Sequence, residues 1–244
     1  MTAPEPIAWV EPVWPYGDRL RTLTTTRQGG ISRAPFSGFN LADHVGDASE
    51  DVETNRQILS DHLGGLPIQW LTQVHGVRVV EAGEATSPEA DAAWTTRRQQ
   101  VLAVLTADCL PVVLADRAAT IVAVVHAGWR GLVDGVIPST LAAMPIRPEF
   151  AWLGPAIGAD VYEVGEEVLE QVVRQDPGNQ LAIRRGTVAG KGYLDLARMA
   201  ERQLQAAGVS EVFASGLSTW DTSRFYSYRR EGSTGRTATL AWLP

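Results

Sequence analysis

Apolar positions along the chain change period several times. A short run rich in Leu and Thr, Leu20 to Thr26, predicts a first strand, and the stretch from Arg27 to Asp47 that follows has no clear period but holds Gly29, Gly30, Gly38 and Gly46. A loop longer than about 15 residues is uncommon in a compact fold unless it carries work or is disordered. Asp47, with Glu50 three residues on, marks a helix start. Val52, Ile58, Leu59 and Leu63 give that helix an apolar face, and Gly64-Gly65 ends it.

Beyond Gly65 the apolar runs shorten to strand length: Ile68 to Val74, Val77 to Glu81, Val101 to Thr106, Pro111 to Ala115 and Ile121 to Val125. Their β-branched content favours strands. Val101–Leu105 and Ile121–Val125 are apolar almost without interruption, which predicts strands covered on both faces by helices or a second sheet. Helical spacing returns over Gly131 to Met144, in spite of Gly135 and Pro138, over Val164 to Arg174, and over Leu194 to Ala207, where Gly208 is the stop. Glu211–Ala214 and Thr237–Leu243 read as late strands. With no internal repeat and no low-complexity linker, the expectation is one domain over residues 1–244, of α+β class with a mixed sheet.

Composition narrows the function classes. Of 244 residues 45% are apolar and 20% charged, so the chain should be globular. Lys and Arg total 21 against 28 Asp and Glu, a net charge of −7, which argues against a nucleic-acid partner. The first residues, MTAPEPIAWVEPVWPYGD, carry Glu5 and Glu11 where an export signal would be uncharged. The most apolar stretch, Val101 to Val125, is broken by Asp108, Asp116 and Arg117 and is not a bilayer span. A cytoplasmic protein without a membrane partner is expected. Its one cysteine, Cys109, excludes an intrachain disulfide and suits a reducing compartment.

Three apolar runs end at a residue able to bind a borderline metal: His75 in QVHG, Cys109 in TADCLP and His126 in VVHAGWRG. Separations of 34 and 17 positions are too long for a zinc knuckle but suit ligands delivered from the ends of different strands of one sheet. Three protein ligands leave one position open, the pattern of a catalytic rather than a structural zinc. Taken singly, an unpaired Cys is commonly a small core residue and a His a hydrogen-bonded packing group. Here three of the chain's five His and Cys residues sit at strand-to-loop transitions.

The same residues carry a resemblance. TTRQGGIS, NLADHVGD, WLTQVHG, TADCLPV, HAGWRG, LGPAIG and FYSYRREGSTGR, in order over the span Thr24 to Leu243, resemble the YfiH family of laccase-domain or polyphenol-oxidase-like proteins. That resemblance implies a layered α/β sandwich related to cysteine hydrolases of the CNF1-like type. It also implies a zinc-dependent purine nucleoside enzyme, with phosphorolysis of adenosine, inosine and methylthioadenosine and deamination of adenosine at one site. Its metal ligands fall on His75, Cys109 and His126. Ser218-Thr219 stands where members often have Cys-Thr, so no role for a second thiol carries over. Copper is a second metal attached to the family name, yet laccase chemistry needs several His-rich copper centres, and four histidines cannot build them.

Phosphorolysis needs anion donors beside the nucleoside. Arg27 with Gly29 and Gly30 is one candidate set; Arg224, Arg229, Arg230 and Arg236 around Gly232 and Gly235 form another, with Arg27 and the Arg229–Arg230 pair expected near the phosphate. Tyr226, Tyr228, Phe39 and Trp129 are candidates to stack on a purine, or else core aromatics. Asp108 is the candidate for proton transfer or for orienting a ligand His, with a turn-forming Asp as the plain alternative; Arg130 would bind a substrate oxygen or close a salt bridge. The H-x-E and P-C-x-x-C signature of cytidine-type deaminases is absent. Two other readings stay open: a Cys–His amide hydrolase, with Cys109 as nucleophile and His126 or His75 as base, for which the resemblance implies editing of peptidoglycan precursors, and a non-catalytic partner protein.

Overall fold

Apolar runs buried on both sides are accommodated by stacking two sheets face to face and covering each outer face. The computed structural model describes residues 6–83 and 86–244; Glu5, one of the two acidic residues that speak against an export signal, lies outside them. In chain order the strands are β1 (Trp9–Val10), β2 (Arg21–Thr25), β3 (Ile68–Gln69), β4 (Val79–Glu81), β5 (Ala92–Thr95), β6 (Val101–Thr106) and β7 (Leu110–Ala115). They continue with β8 (Val122–Ala127), β9 (Phe150–Leu153), β10 (Glu163–Gly165), β11 (Ile183–Arg185), β12 (Lys191–Leu194), β13 (Glu211–Ala214) and β14 (Thr237–Trp242). The helices are α1 (Ser49–His62), α2 (Trp129–Asp134), α3 (Val136–Ala143), α4 (Glu166–Gln175), α5 (Leu196–Ala206) and the single turn α6 (Tyr228–Glu231).

A five-stranded sheet has the order β1-β2-β14-β6-β3 and a six-stranded sheet the order β13-β9-β7-β8-β5-β4; β10, β12 and β11 make a small third sheet. Pairing is mixed, antiparallel except for β3 with β6, β4 with β5 and β13 with β9. The layers follow from strand alternation. In β6, Leu102 and Val104 face the six-stranded sheet while Val101, Ala103 and Leu105 face outward to Phe39, Leu41, Leu59 of α1 and Leu63, the residue that caps it. In β8, Val122 and Val124 face the five-stranded sheet while Ala123 and Val125 pack under α2, α3, α4 and α5. The α+β class and the layered sandwich thus arise from one feature, runs apolar at both parities.

The loop at residues 27–47 is packed rather than loose. Buried Asn55 of α1 accepts from the Ile31 amide and donates to Ser32 Oγ and the Asn40 carbonyl, clamping the loop to the helix. Asp47 does not cap α1, whose N-cap is Ala48; it accepts instead from Asn40 and from the Ala48 amide. The expected helix over Gly131–Met144 is two helices, broken at Gly135 with φ 92°. The expected strand over Ile68–Val74 ends at Gln69, and the Gln73 side chain, donating to the Leu105 carbonyl and accepting from its amide, takes the place of further strand pairing. The short β5 and β9 and the third sheet had no counterpart in the apolar pattern. Among the described residues no helix is long and apolar enough to cross a membrane.

Candidate metal centre

His75 and Cys109 lie on the two segments that carry the chain from the five-stranded to the six-stranded sheet, between β3 and β4 and between β6 and β7. His126 is the penultimate residue of β8, on the same face as Val122 and Val124. The expectation of three strand ends of one sheet is therefore corrected: the donors meet at the rim of the layer between two sheets. Their ligand atoms all lie within 4.8 Å of one another, with Cys109 Sγ 3.8 Å from His75 Nε2.

Buried Asp91, the residue before β5, holds this arrangement. Its Oδ1 accepts from the His75 amide at 2.9 Å and is 2.8 Å from His126 Nδ1, and its Oδ2 accepts from the Gly76 amide at 2.7 Å. The imidazole tautomer follows from that contact: Nδ1 donates to the carboxylate and Nε2 is left for a metal. His75 itself has φ 61°, a left-handed conformation uncommon outside glycine, and the Asp91 bonds to its amide and the next one hold it there. Burial opposes ionisation of Asp91, but the His126 hydrogen bond and charge outweigh it and lower its pKa.

The residues fit a zinc-type ion. A tetrahedral site puts neighbouring N and S ligands about 3.5 Å apart, close to the distance found, and two imidazoles with one thiolate leave a fourth position open. Gly128 makes the room, because a Cβ there would stand 3.0 Å from Cys109 Sγ and 3.1 Å from His75 Cδ2. Burial disfavours a Cys109 thiolate, but the facing His126 and His75 outweigh it and bring the thiol down to about 6. Burial likewise disfavours a charged His126, and Cys109 with Asp91 more than offsets this, raising it to about 9. Each group thus favours the charged form of the other, and a metal taking Nε2 and Sγ would displace any proton held there.

The three donors line a cavity of about 580 Å³, within the range of small-molecule sites. Trp129, Tyr162 and Tyr228 supply its aromatic surface and Arg130, Arg229 and Arg236 its positive charge. Other expected residues fall elsewhere. Arg27 pairs with Glu231 at 2.8 Å and lies over the Tyr226 ring, and Gly30, with φ 70°, is a close-packing glycine whose Cβ would strike the Gly38 carbonyl and Asn55. Gly29 packs against Ile7, and Arg230 is spent on the Thr219 and Phe225 carbonyls and Glu231. None of Arg27, Gly29, Gly30 or Arg230 lines the cavity, whereas Arg229 does. Tyr226 and Phe39 are core side chains.

The orienting carboxylate expected at Asp108 is Asp91 instead. Asp108, with φ 101°, accepts from Thr219 Oγ1 and from the Arg229 amide, both at 2.7 Å, so it braces the C-terminal segment against the cavity wall. Arg130 is exposed, over the Trp129 ring at 4.5 Å, and makes no salt bridge among the described residues. Ser218 Oγ accepts from the Gly158 and Trp220 amides, a packing use of the position. Sequence reasoning missed Asp91, His44 and Tyr162. For Asp91 the only signal was a lone carboxylate set among alanines, in EADAAW.

Fold and site together define a layered α/β protein with an open His-Cys-His centre at a sheet junction. The family described as multi-copper polyphenol oxidoreductase laccase matches residues 21–244, and the chain belongs to it, the laccase-like or YfiH family. It is 44% identical over 239 residues to a protein of Pseudomonas aeruginosa named purine nucleoside phosphorylase, covering 97% of this chain and 98% of that one. It is 40% identical to purine nucleoside phosphorylase YfiH of Escherichia coli, covering 96% and 98%. Among solved structures, a Neisseria meningitidis protein aligns with TM-score 0.91 at 42% identity over 96% of this chain and 98% of the other.

Proposed function

We propose that this chain is a zinc-dependent purine nucleoside phosphorylase acting on adenosine, inosine and methylthioadenosine, with adenosine deamination as a side reaction of the same cavity. The observation that carries the reading is the meeting of His75, Cys109 and His126 at an aromatic, arginine-lined cavity, in a chain whose relatives bear the phosphorylase name. When bound, the ion supplies a Lewis acid at the cavity wall. The chain's own residues do the rest. Trp129, Tyr162 and Tyr228 flank a purine, and Arg130 contacts a substrate oxygen. Asp108, both oxygens engaged, is a positioning residue that fixes Arg229 rather than a proton shuttle. In phosphorolysis the C–N glycosidic bond breaks with its electron pair passing to the purine, a phosphate oxygen bonds to the ribose carbon, and the phosphate's proton ends on the base.

The test is turnover of the three nucleosides with and without phosphate by metal-analysed wild type and His126→Ala. Phosphate-dependent release of base by the wild type and its loss in His126→Ala are expected; equal turnover by both removes the mechanism. Ammonia release from adenosine reports the deamination separately. A Cys–His amide hydrolase is the second reading, favoured by the low thiol pKa and the 3.8 Å contact of Cys109 with His75. Trapping of an acyl-enzyme, insensitive to chelators, would select it. Phenol oxidation by a copper relay is disfavoured, since the described residues hold one His/Cys/Asp/Glu cluster of metal-binding geometry.

A further inference from the structure

Beside the metal-centre cavity lies a second one of about 400 Å³, reached past Val45 and the turn Gly232-Ser233-Thr234. The two share three wall residues, His44, Tyr228 and Arg236. Arg236 is half-buried, with Nη1 donating to the Thr234 and Gly235 carbonyls at 2.8 and 3.0 Å. Those bonds fix the plane of the guanidinium but leave its charge unmatched: among the described residues it forms no salt bridge, and no acceptor bonds its Nε or Nη2. Neighbouring arginines are differently placed. Arg27 and Arg230 both pair with Glu231, and Arg229 Nη1 is held by the Glu163 carbonyl.

Among the described residues no carboxylate lines the second cavity, in a chain with a net charge of −7. Burial pulls the Arg236 pKa down, partly countered by the Cys109 and Asp108 charges of the metal-centre cavity. A half-buried guanidinium with no carboxylate partner keeps Nε and Nη2 unspent at the cavity wall, and that donor geometry matches an oxyanion. We infer that this second cavity is an oxyanion subsite, in which Arg236, with His44, Tyr228 and Ser233 around it, holds inorganic phosphate at the boundary that the two cavities share. The assignment rests on the phosphorolysis reading for its ligand. It gives that reaction a geometry: base and sugar in the chamber with the metal centre, and the phosphate beside Arg236 with an oxygen facing the ribose carbon.

Calorimetric titration of inorganic phosphate into zinc-loaded wild type, Arg236→Gln and Arg224→Gln, with the KM for phosphate and for inosine measured in parallel, tests this directly. Arg236→Gln should weaken phosphate binding about tenfold or more, with metal content unchanged and the inosine KM within about threefold, and Arg236→Lys should recover part of the loss. Arg224→Gln, outside both cavities, should bind phosphate as the wild type does. Ser233→Asp, which puts a carboxylate on an exposed turn, should also abolish phosphate binding and serves if Arg236→Gln fails to fold. Wild-type phosphate affinity in folded Arg236→Gln or in Ser233→Asp overturns the inference, as does a wild type that binds no phosphate. Phosphate binding that depends on Arg236 in a protein that cleaves no nucleoside keeps the subsite and overturns the phosphorolysis reading instead.

Discussion

At Asp91 one buried carboxylate serves two candidate metal donors that are 51 positions apart in the chain, gripping the His126 ring and the backbone of His75 together. Asp91→Asn presents an NH₂ group to partners that are themselves donors, so one ligand loses its tautomer or the other its loop conformation. Zinc affinity should fall about 10- to 100-fold, read by competition with a chromophoric chelator. Unchanged affinity would mean the ligands are held by packing alone. Cys109 supplies a pH prediction. Because its thiol ionises near 6 in the metal-free chain, alkylation of chelated protein should rise with pH through a midpoint near 6 instead of the usual range around 8.5, and zinc should suppress it. The three donors were legible because His and Cys are rare here and each stands at the end of an apolar run. Asp91 was not, because carboxylates are common and its side-chain partner is 35 residues away, a pairing only β5 beside β8 creates.

Helix α2 is bounded by two glycines whose reasons differ, and substitutions there should separate stability from metal binding. Gly135 closes α2 and opens α3 at φ 92°, a conformation that puts an L residue at a disadvantage of about 1–2 kcal/mol. Gly135→Ala should therefore lower the unfolding free energy by that amount and leave zinc affinity alone. Gly128→Ala should do the reverse, because its φ of −70° suits any residue while its Cβ would crowd Cys109 and His75. Denaturant titration beside chelator competition checks both, and parallel losses in the two variants would refute the separation. The same helices mark what pattern alone conveys. Apolar spacing continued through Gly135 and so concealed the break, whereas α5, with its Asp195 cap and Gly208 stop, could be placed within two residues. β6 matched its run end to end because it is buried on both faces. The four-residue strands β5 and β9 are fixed by neighbours, which no local period announces, and β3 keeps only the first two residues of its predicted run.

Across the whole molecule, segments from the early and late parts of the chain meet: β14 inserts between β2 and β6, and Glu231 before it takes Arg27 from just after β2. The sandwich class was legible, since runs apolar at both parities require two covered faces, but this closure was not, because a charge pair 204 positions apart leaves no trace in composition. Arg27, expected at a phosphate, is part of the clasp that shuts the fold. The clasp should be acid-sensitive. Burial raises the Glu231 pKa, but hydrogen bonds from Thr234, Arg27 and Arg230 outweigh it and hold the folded value at about 2 against 4.5 unperturbed. A depressed carboxyl stabilises the folded state fully above its unfolded pKa; as pH falls from about 4.5 towards 2 that stabilisation drains away, and below about 2 it is gone. With about a quarter of the side chain exposed, the contribution at neutral pH is on the order of 2 kcal/mol. Glu231→Gln should thus be destabilised by a constant amount between pH 5 and 8, and the gap to wild type should narrow as pH drops below about 4. Denaturation midpoints of both proteins across that range decide it, and a gap independent of pH down to 3 would show that Glu231 acts through its shape and not its charge.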